Sequence, residues 1–174
     1  YDPDRARERW WARHEPGSAG FPGQAAWAAP GLDARGWKAA SLPGRWEDSV
    51  LPGFDGVVWF RREFTLPAGL AGRDLALTLG PIDDEDTTWI NGVRVGETRT
   101  WDAPREYRVP ARVLRPGRNV IAVRVLDTGQ GGGFHGQARD MALRAPGGAT
   151  LPLAGEWRYR ASTPLDRLAT LPRP

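Results

Sequence analysis

Apolar residues in this chain recur at every second position far more often than at helical spacing. Leu75, Leu77 and Leu79 alternate with Ala76 and Thr78, the pattern of a strand with one buried face. Gly80-Pro81 is expected to stop that strand, and the run Asp83, Asp84, Glu85, Asp86 reads as an acidic turn. Thr87 to Ile90 is β-branched and aromatic, Asn91-Gly92 is a hairpin signal, and Val93 and Val95 return on one face. From Val57 to Leu66, Val58, Phe60, Phe64 and Leu66 share one face, with Trp59, Arg61 and Glu63 on the other. Asn119 to Asp127 is almost continuously apolar, which predicts a central strand covered on both sides. Shorter strands are expected at Trp37–Leu42, Arg105–Val109, Met141–Arg144, Thr150–Leu153 and Glu156–Arg160.

Helical periodicity is scarce. Asp2-Pro3 is a cap followed by a first-turn proline, so residues 1–15 read as a short helix with Trp10 and Trp11 as its apolar patch. Such a helix has too few apolar residues to stand alone. Pro22-Gly23, Pro30-Gly31 and Pro52-Gly53 mark turns, Pro110–Leu114 allows one helical turn, and Gly129–Gly136 is a glycine-rich loop. Short strands at turn-bounded spacing predict an all-β sandwich with a short N-terminal helix. The organisation read from the chain is an N-terminal segment 1–20, a sandwich 21–161 and a linker 162–174.

Composition narrows the function classes. A chain of 174 residues with 40% hydrophobic content suffices for one core. The formal charge of +3 comes from mixed signs, without the clustered basic face of a nucleic-acid module. Lys38 is the only lysine, so the basic balance rests on arginine. There is no cysteine, hence no disulfide and no thiolate metal site. No apolar run is long enough for a membrane span, and the charged first residues do not resemble a signal peptide. Neither nucleic acid nor membrane is expected as a partner.

The residues that could carry chemistry are few. Ser18, Ser41, Ser49 and Ser162 lie in no nucleophile elbow, and His14 and His135 have no acid at a hydrolase spacing. Adjacent acids in one turn point in different directions, and no second acid-rich loop is expected opposite Asp83–Asp86, which argues against a glycosidase pair. The run lacks the spacing of an EF-hand, so no cofactor is called for, although a structural calcium held partly by loop carbonyls stays open. Its plainest role is to accept backbone N–H groups and pair with arginines. The loop Gly129–Gly136 lacks the strand-to-helix context of a phosphate cradle; Phe134 and His135 at its tip either touch a ligand or cap the core. Nine tryptophans offer rings for stacking on sugar. Trp59, Trp89 and Trp157 sit inside strands and are expected in packing, whereas Trp101, in a loop before Asp102 and Arg105, is the candidate for an exposed ring. The ligand or partner-surface candidates are therefore Asp83, Asp84, Asp86, Trp101, Arg105, Phe134 and His135.

Five stretches carry a resemblance: Leu51–Pro67, Leu79–Thr98, Trp101–Pro110, Leu114–Gly136 and Leu151–Arg160. Together they resemble the bacterial sialate O-acetylesterases. More distantly, the strand with Trp59-Phe60-Arg61-Arg62, the Asn91-Gly92 hairpin and the strand after Gly117 are similar to the sugar-binding jelly roll of glycoside hydrolases that include β-galactosidase and β-glucuronidase. The resemblance implies a galactose-binding-like antiparallel jelly-roll sandwich inserted between the halves of an SGNH-type hydrolase. In that esterase family a Gly-Asp-Ser block and an Asp-x-x-His block carry catalysis, and this chain has neither. It therefore reads as a non-catalytic domain that shapes the cleft of a carbohydrate O-acetylesterase, with the hydrolase halves as partner. A periplasmic or secreted parent is expected from the resemblance. A free-standing carbohydrate-binding module and a structural spacer are the alternative readings.

Overall fold

The computed structural model describes residues 1–20 and 24–169. In chain order they form helix α1 (Pro3–His14), then strands β1 (Lys38–Leu42), β2 (Gly44–Arg45), β3 (Gly56–Thr65), β4 (Leu75–Asp83), β5 (Glu85–Ile90) and β6 (Val93–Thr98). Strands β7 (Pro104–Val109), β8 (Arg118–Asp127), β9 (Gly133–Phe134), β10 (Ala142–Arg144), β11 (Thr150–Pro152) and β12 (Gly155–Pro164) follow, and helix α2 (Leu165–Ala169) comes last. One sheet has the order β1-β12-β3-β8-β5-β6; the other is β11-β10-β4-β9-β2, with β7 also paired to β4. Every pairing is antiparallel. The architecture is the antiparallel β-sandwich that the alternation predicted, of the galactose-binding-like kind that the resemblance implied.

The period-two pattern places the core. Val58, Phe60 and Phe64 of β3 and Ile121, Val123 and Val125 of β8 face Leu75, Leu77, Leu79 and Ile82 of β4 across the sandwich. Strand β8 lies between β3 and β5, and its other face is covered too, which accounts for its near-continuous apolar run. Each such side chain contributes about 1.5–3 kcal/mol when fully buried. Asn91, with φ of 50°, makes the expected hairpin between β5 and β6, and its amide also bonds the Val113 carbonyl and Asn119.

A second apolar cluster covers the outer face of the larger sheet. Trp59 and Trp89 stack there with centroids 5.2 Å apart, beneath Trp10, Trp11, Trp37 and Leu168. Helix α1 starts where Asp2 accepts from the Asp4 and Arg5 backbone N–H groups. It buries little besides Trp10 and Trp11, so polar contacts complete its attachment. Glu15, almost wholly buried, accepts hydrogen bonds from Gly17 N–H, the Ser18 and Ser162 hydroxyls and Trp59 Nε1. Arg124 donates to Ser18 and stacks 3.9 Å from the Trp11 ring; burial pushes its guanidinium down to about 10.

The structure departs from the pattern in three places. Gly80-Pro81 does not end β4: a bulge at Thr78/Gly80 restores pairing, and Pro81 needs no N–H where it opposes Pro104. The acidic run is not a turn within one sheet. Strand β4 belongs to the smaller sheet and β5 to the larger, so Asp83–Glu85 is where the chain changes sheets. Of the expected linker 162–174, the described part ends β12 and forms α2, whose Leu168 is fully buried; residues 170–174 lie outside the described residues, as does the expected Pro22-Gly23 turn.

Glu15 is the buried acid on which several bonds between this outer layer and the sheet converge. Glu15→Ala is expected to lower stability by about 2–4 kcal/mol, because four donors lose one acceptor and Arg124 loses a nearby opposite charge. Urea unfolding followed by tryptophan fluorescence measures it.

Candidate functional site

The sheet-changing segment is held from beneath by one arginine. Arg105, at the start of β7, is 1% exposed. Its Nε donates to Asp86 Oδ1 at 2.6 Å, Nη1 to the carbonyls of Thr100 and Ala103, and Nη2 to those of Ile82 and Asp84. All five guanidinium N–H groups are thus satisfied. Asp86, also buried, accepts further from Thr88 Oγ1 and the Tyr107 hydroxyl, which in turn accepts from Thr98. Arg105 therefore locks three things together: the β4–β5 junction, the base of β7, and the loop that carries Trp101.

Above that lock the fold collects five carboxylates from four segments. Oxygens of Asp83, Asp84 and Asp127 lie within 4.8 Å of one another, and so do oxygens of Glu47, Asp55 and Asp127. The absence of a second acidic group opposite Asp83–Asp86, expected from the sequence, is corrected by the topology. Strand β8 ends at Asp127 beside the β4–β5 junction, because β5 pairs with β8, and Asp55 immediately precedes β3 on the other side. Asp84 Oδ2 accepts from the backbone N–H and hydroxyl of Thr128, at 2.7 and 2.6 Å. Asp127 is 0% exposed; its Oδ1 accepts from Gly129 N–H, and its Oδ2 has no hydrogen-bond partner. Glu47 Oε2 accepts from Gly53 N–H, while its Oε1 is likewise buried and unpartnered.

Crowding sets the electrostatics. Burial first, then the neighbouring Asp84 carboxylate, pushes Asp83 up to about 7, against the pull of Arg105 and Arg45. Burial and the charges of Asp55, Asp84 and Asp83 likewise push Asp127 up to about 7. Among the described residues the only ion-pair contact to the five is His135 Nε2, 4.0 Å from Asp83 Oδ2. Such an all-oxygen cluster can hold a hard cation, or share protons among its carboxylates.

The sequence candidates separate accordingly. Asp83 and Asp84 belong to this cluster. Asp86 and Arg105 are buried against each other and offer no surface to a ligand. Phe134 is 1% exposed, in β9, packed on Phe60 and Trp157, so it is a core residue and not a loop tip. His135 is at the surface, bonded to the Gly131 carbonyl. Trp101 is 60% exposed, whereas Trp59, Trp89 and Trp157 are buried. Beside its loop, a depression of about 240 Å³ is lined by Gly80, Pro104, Glu106, Asp140 and Arg144. A larger groove of about 560 Å³ carries Arg61, Arg62, Arg118 and Arg158, but these are tied to backbone carbonyls or to Glu63. Sequence reasoning missed Glu47, Asp55 and Asp127, which are single acids in unremarkable contexts. It also missed Gly132, where an added Cβ would meet the Trp46 ring at 2.2 Å and Asp127 Oδ2 at 2.5 Å.

Two outcomes are expected. Asp86→Ala leaves Arg105 charged and buried, so it should cost about 3–5 kcal/mol, with Asp86→Ala/Arg105→Met recovering part of the loss in urea unfolding. The acid cluster predicts a pH effect of defined sign. With native pKa values near 7 for Asp83 and Asp127, above the ordinary value near 3.8, the native state holds extra protons in between. In chelator, the thermal midpoint should therefore fall as pH rises from about 4 to 7, and less steeply in Asp127→Asn.

Comparison with known proteins adds the family. Residues 1–143 match the family "Glycosyl hydrolases family 2, sugar binding domain". Among solved structures, a glycosyl hydrolase family 2 member from Bacteroides cellulosilyticus is 25% identical, with a TM-score of 0.54 over 62% of this chain and 17% of that one. A Bacteroides uniformis β-glucuronidase is 22% identical, with a TM-score of 0.55 over 79% of this chain and 16% of that one. The structure of B. uniformis β-glucuronidase 2, bound covalently to a cyclophellitol aziridine, is 21% identical at a TM-score of 0.55, over 75% of this chain and 15% of that one. This chain thus spans about a sixth of the length of those structures. The β-glucuronidase likenesses concern the fold; the match over residues 1–143 means that the chain belongs to the sugar-binding domain family of glycosyl hydrolases family 2.

Proposed function

We propose that this domain is a non-catalytic, sugar-contacting wall of a larger carbohydrate-active hydrolase. The observation that carries this reading is Trp101: an exposed ring on a loop whose Thr100 and Ala103 carbonyls are fixed by buried Arg105. An apolar face on a braced loop suits stacking on a pyranose ring, and Glu106 lines the adjoining depression, where Asp140 accepts from Gln137 N–H and Arg144 donates to the Arg139 carbonyl. The serines support a non-catalytic role: Ser18 and Ser162 are bonded to Glu15, Ser49 to the Arg45 carbonyl.

The parent's chemistry is a separate part of the proposal. The five motif stretches favour a sialate O-acetylesterase, in which this sandwich would pack against the halves of an SGNH-type hydrolase. Family membership also suits a glycoside hydrolase. Acetate release from O-acetylated sialosides by the full-length parent supports the esterase; hydrolysis of aryl glycosides without acetate release supports the glycosidase.

Calorimetric titration of this chain with sialosides, acetylated sialosides and glucuronides tests the domain itself. Binding to at least one is expected, weakened about tenfold or more in Trp101→Ala. Flat titrations throughout would reduce the domain to a spacer.

A further inference from the structure

The five-carboxylate cluster is not explained by sugar contact, because its central member has no surface. Asp127 is wholly buried, yet its Oδ2 points at no donor, and Glu47 Oε1 is buried in the same condition. A buried carboxylate oxygen without a partner is costly, and two of them in one cluster call for a common occupant. None of Glu47, Asp55, Asp84 and Asp127 is ion-paired with a described arginine or lysine, and Arg105 directs its N–H groups to Asp86 and to carbonyls instead. Among the described residues, no arginine or lysine is ion-paired with the cluster.

We propose that a calcium ion binds at Asp127, the carboxylate common to the Asp83–Asp84–Asp127 and Glu47–Asp55–Asp127 groups, at the end of the sandwich where the chain changes sheets. Oxygen ligands on opposite sides of one calcium ion, each about 2.3–2.6 Å away, are about 5 Å apart. The separations within both triads, up to 4.8 Å, fit that limit, and Asp127 belongs to both. The donors are all hard oxygens, and Glu47 and Asp55 lie outside the strands, which suits calcium's flexible coordination better than the strict octahedron of magnesium. The nearby imidazole, His135, is held by the Gly131 carbonyl, so zinc, which favours nitrogen and sulfur, is poorly served.

The ion would add a further tie among four pieces of chain that meet at this end of the sandwich. Glu47 follows β2, Asp55 precedes β3, Asp83 and Asp84 join β4 to β5, and Asp127 ends β8. The Asp55 carbonyl also accepts from Leu165 N–H at the start of α2. Removing the ion should loosen this end while leaving the tryptophan layer intact.

The test uses this chain as it stands. After treatment with EDTA, adding calcium is expected to raise the thermal midpoint by about 5 °C or more, and calorimetry should give a dissociation constant below about 0.1 mM. Terbium should bind in calcium's place and emit on tryptophan excitation, since Trp46 and Asp127 Oδ2 both crowd the same Gly132 position. Asp127→Asn, nearly isosteric and able to keep the Gly129 contact, should weaken calcium at least about tenfold and abolish terbium emission. Glu47→Gln serves as an independent variant and should weaken calcium as well. No midpoint shift and no heat with calcium would overturn the proposal and leave the cluster as a proton-sharing group. A response to magnesium or zinc exceeding that to calcium would overturn the choice of ion, and calcium binding unchanged in both variants would overturn the site.

Discussion

The buried pair of Arg105 and Asp86 is the constraint on which this end of the molecule depends. A chain that passes from one sheet to the other gives up ladder hydrogen bonds at the crossing, and buried carbonyls left there need donors. Arg105 provides them for Ile82 and Asp84, and for Thr100 and Ala103 in the neighbouring loop, while Asp86 balances its charge. A lysine could not do this, because its ammonium has three donors and no planar fork. The same guanidinium thus shapes the junction and the Trp101 loop, so a surface feature and a topological one share a single support.

The outer face of the larger sheet obeys a different logic. A sandwich ordinarily leaves its outer faces to water, but Trp59 and Trp89 stand on this one and must be covered. The cover is assembled from α1, the segment containing Trp37, and α2, each too short to be stable alone. Glu15 and Arg124 give that cover its register by hydrogen bonds to fixed partners, while the tryptophans pack the apolar layer between them. Arg7 and Arg94 bind Glu97 at the rim and close the layer.

Many of the described polar side chains are engaged with one another or with backbone groups. The arginine-lined groove is an example: Arg61 and Arg62 reach inward to carbonyls and not outward to a ligand. Trp101 stands apart from that pattern, exposed on a rigidly held loop. The acid cluster stands apart in the opposite sense, gathered around buried Asp127 and internally repulsive.

The sequence by itself determined the class of fold and most of the strands. Alternation in Val57–Leu66 and Leu75–Leu79, the apolar run through Asn119–Asp127 and the Asn91-Gly92 turn are local signals, and local sterics and burial enforce them directly. It also singled out Trp101, since a tryptophan among loop residues has no strand face to hide on. Only the tertiary structure decided where the strands went and what their ends brought together. Nothing local distinguishes the sheet change at Asp83–Glu85 from a turn, because the choice depends on β8 pairing with β5 from a distance. Arg105 and Asp86 looked like surface charges because burial of an ion pair is visible only once both partners are placed. The carboxylates of Glu47, Asp55 and Asp127 are scattered in sequence, and they meet because the ends of antiparallel strands converge at one end of a sandwich.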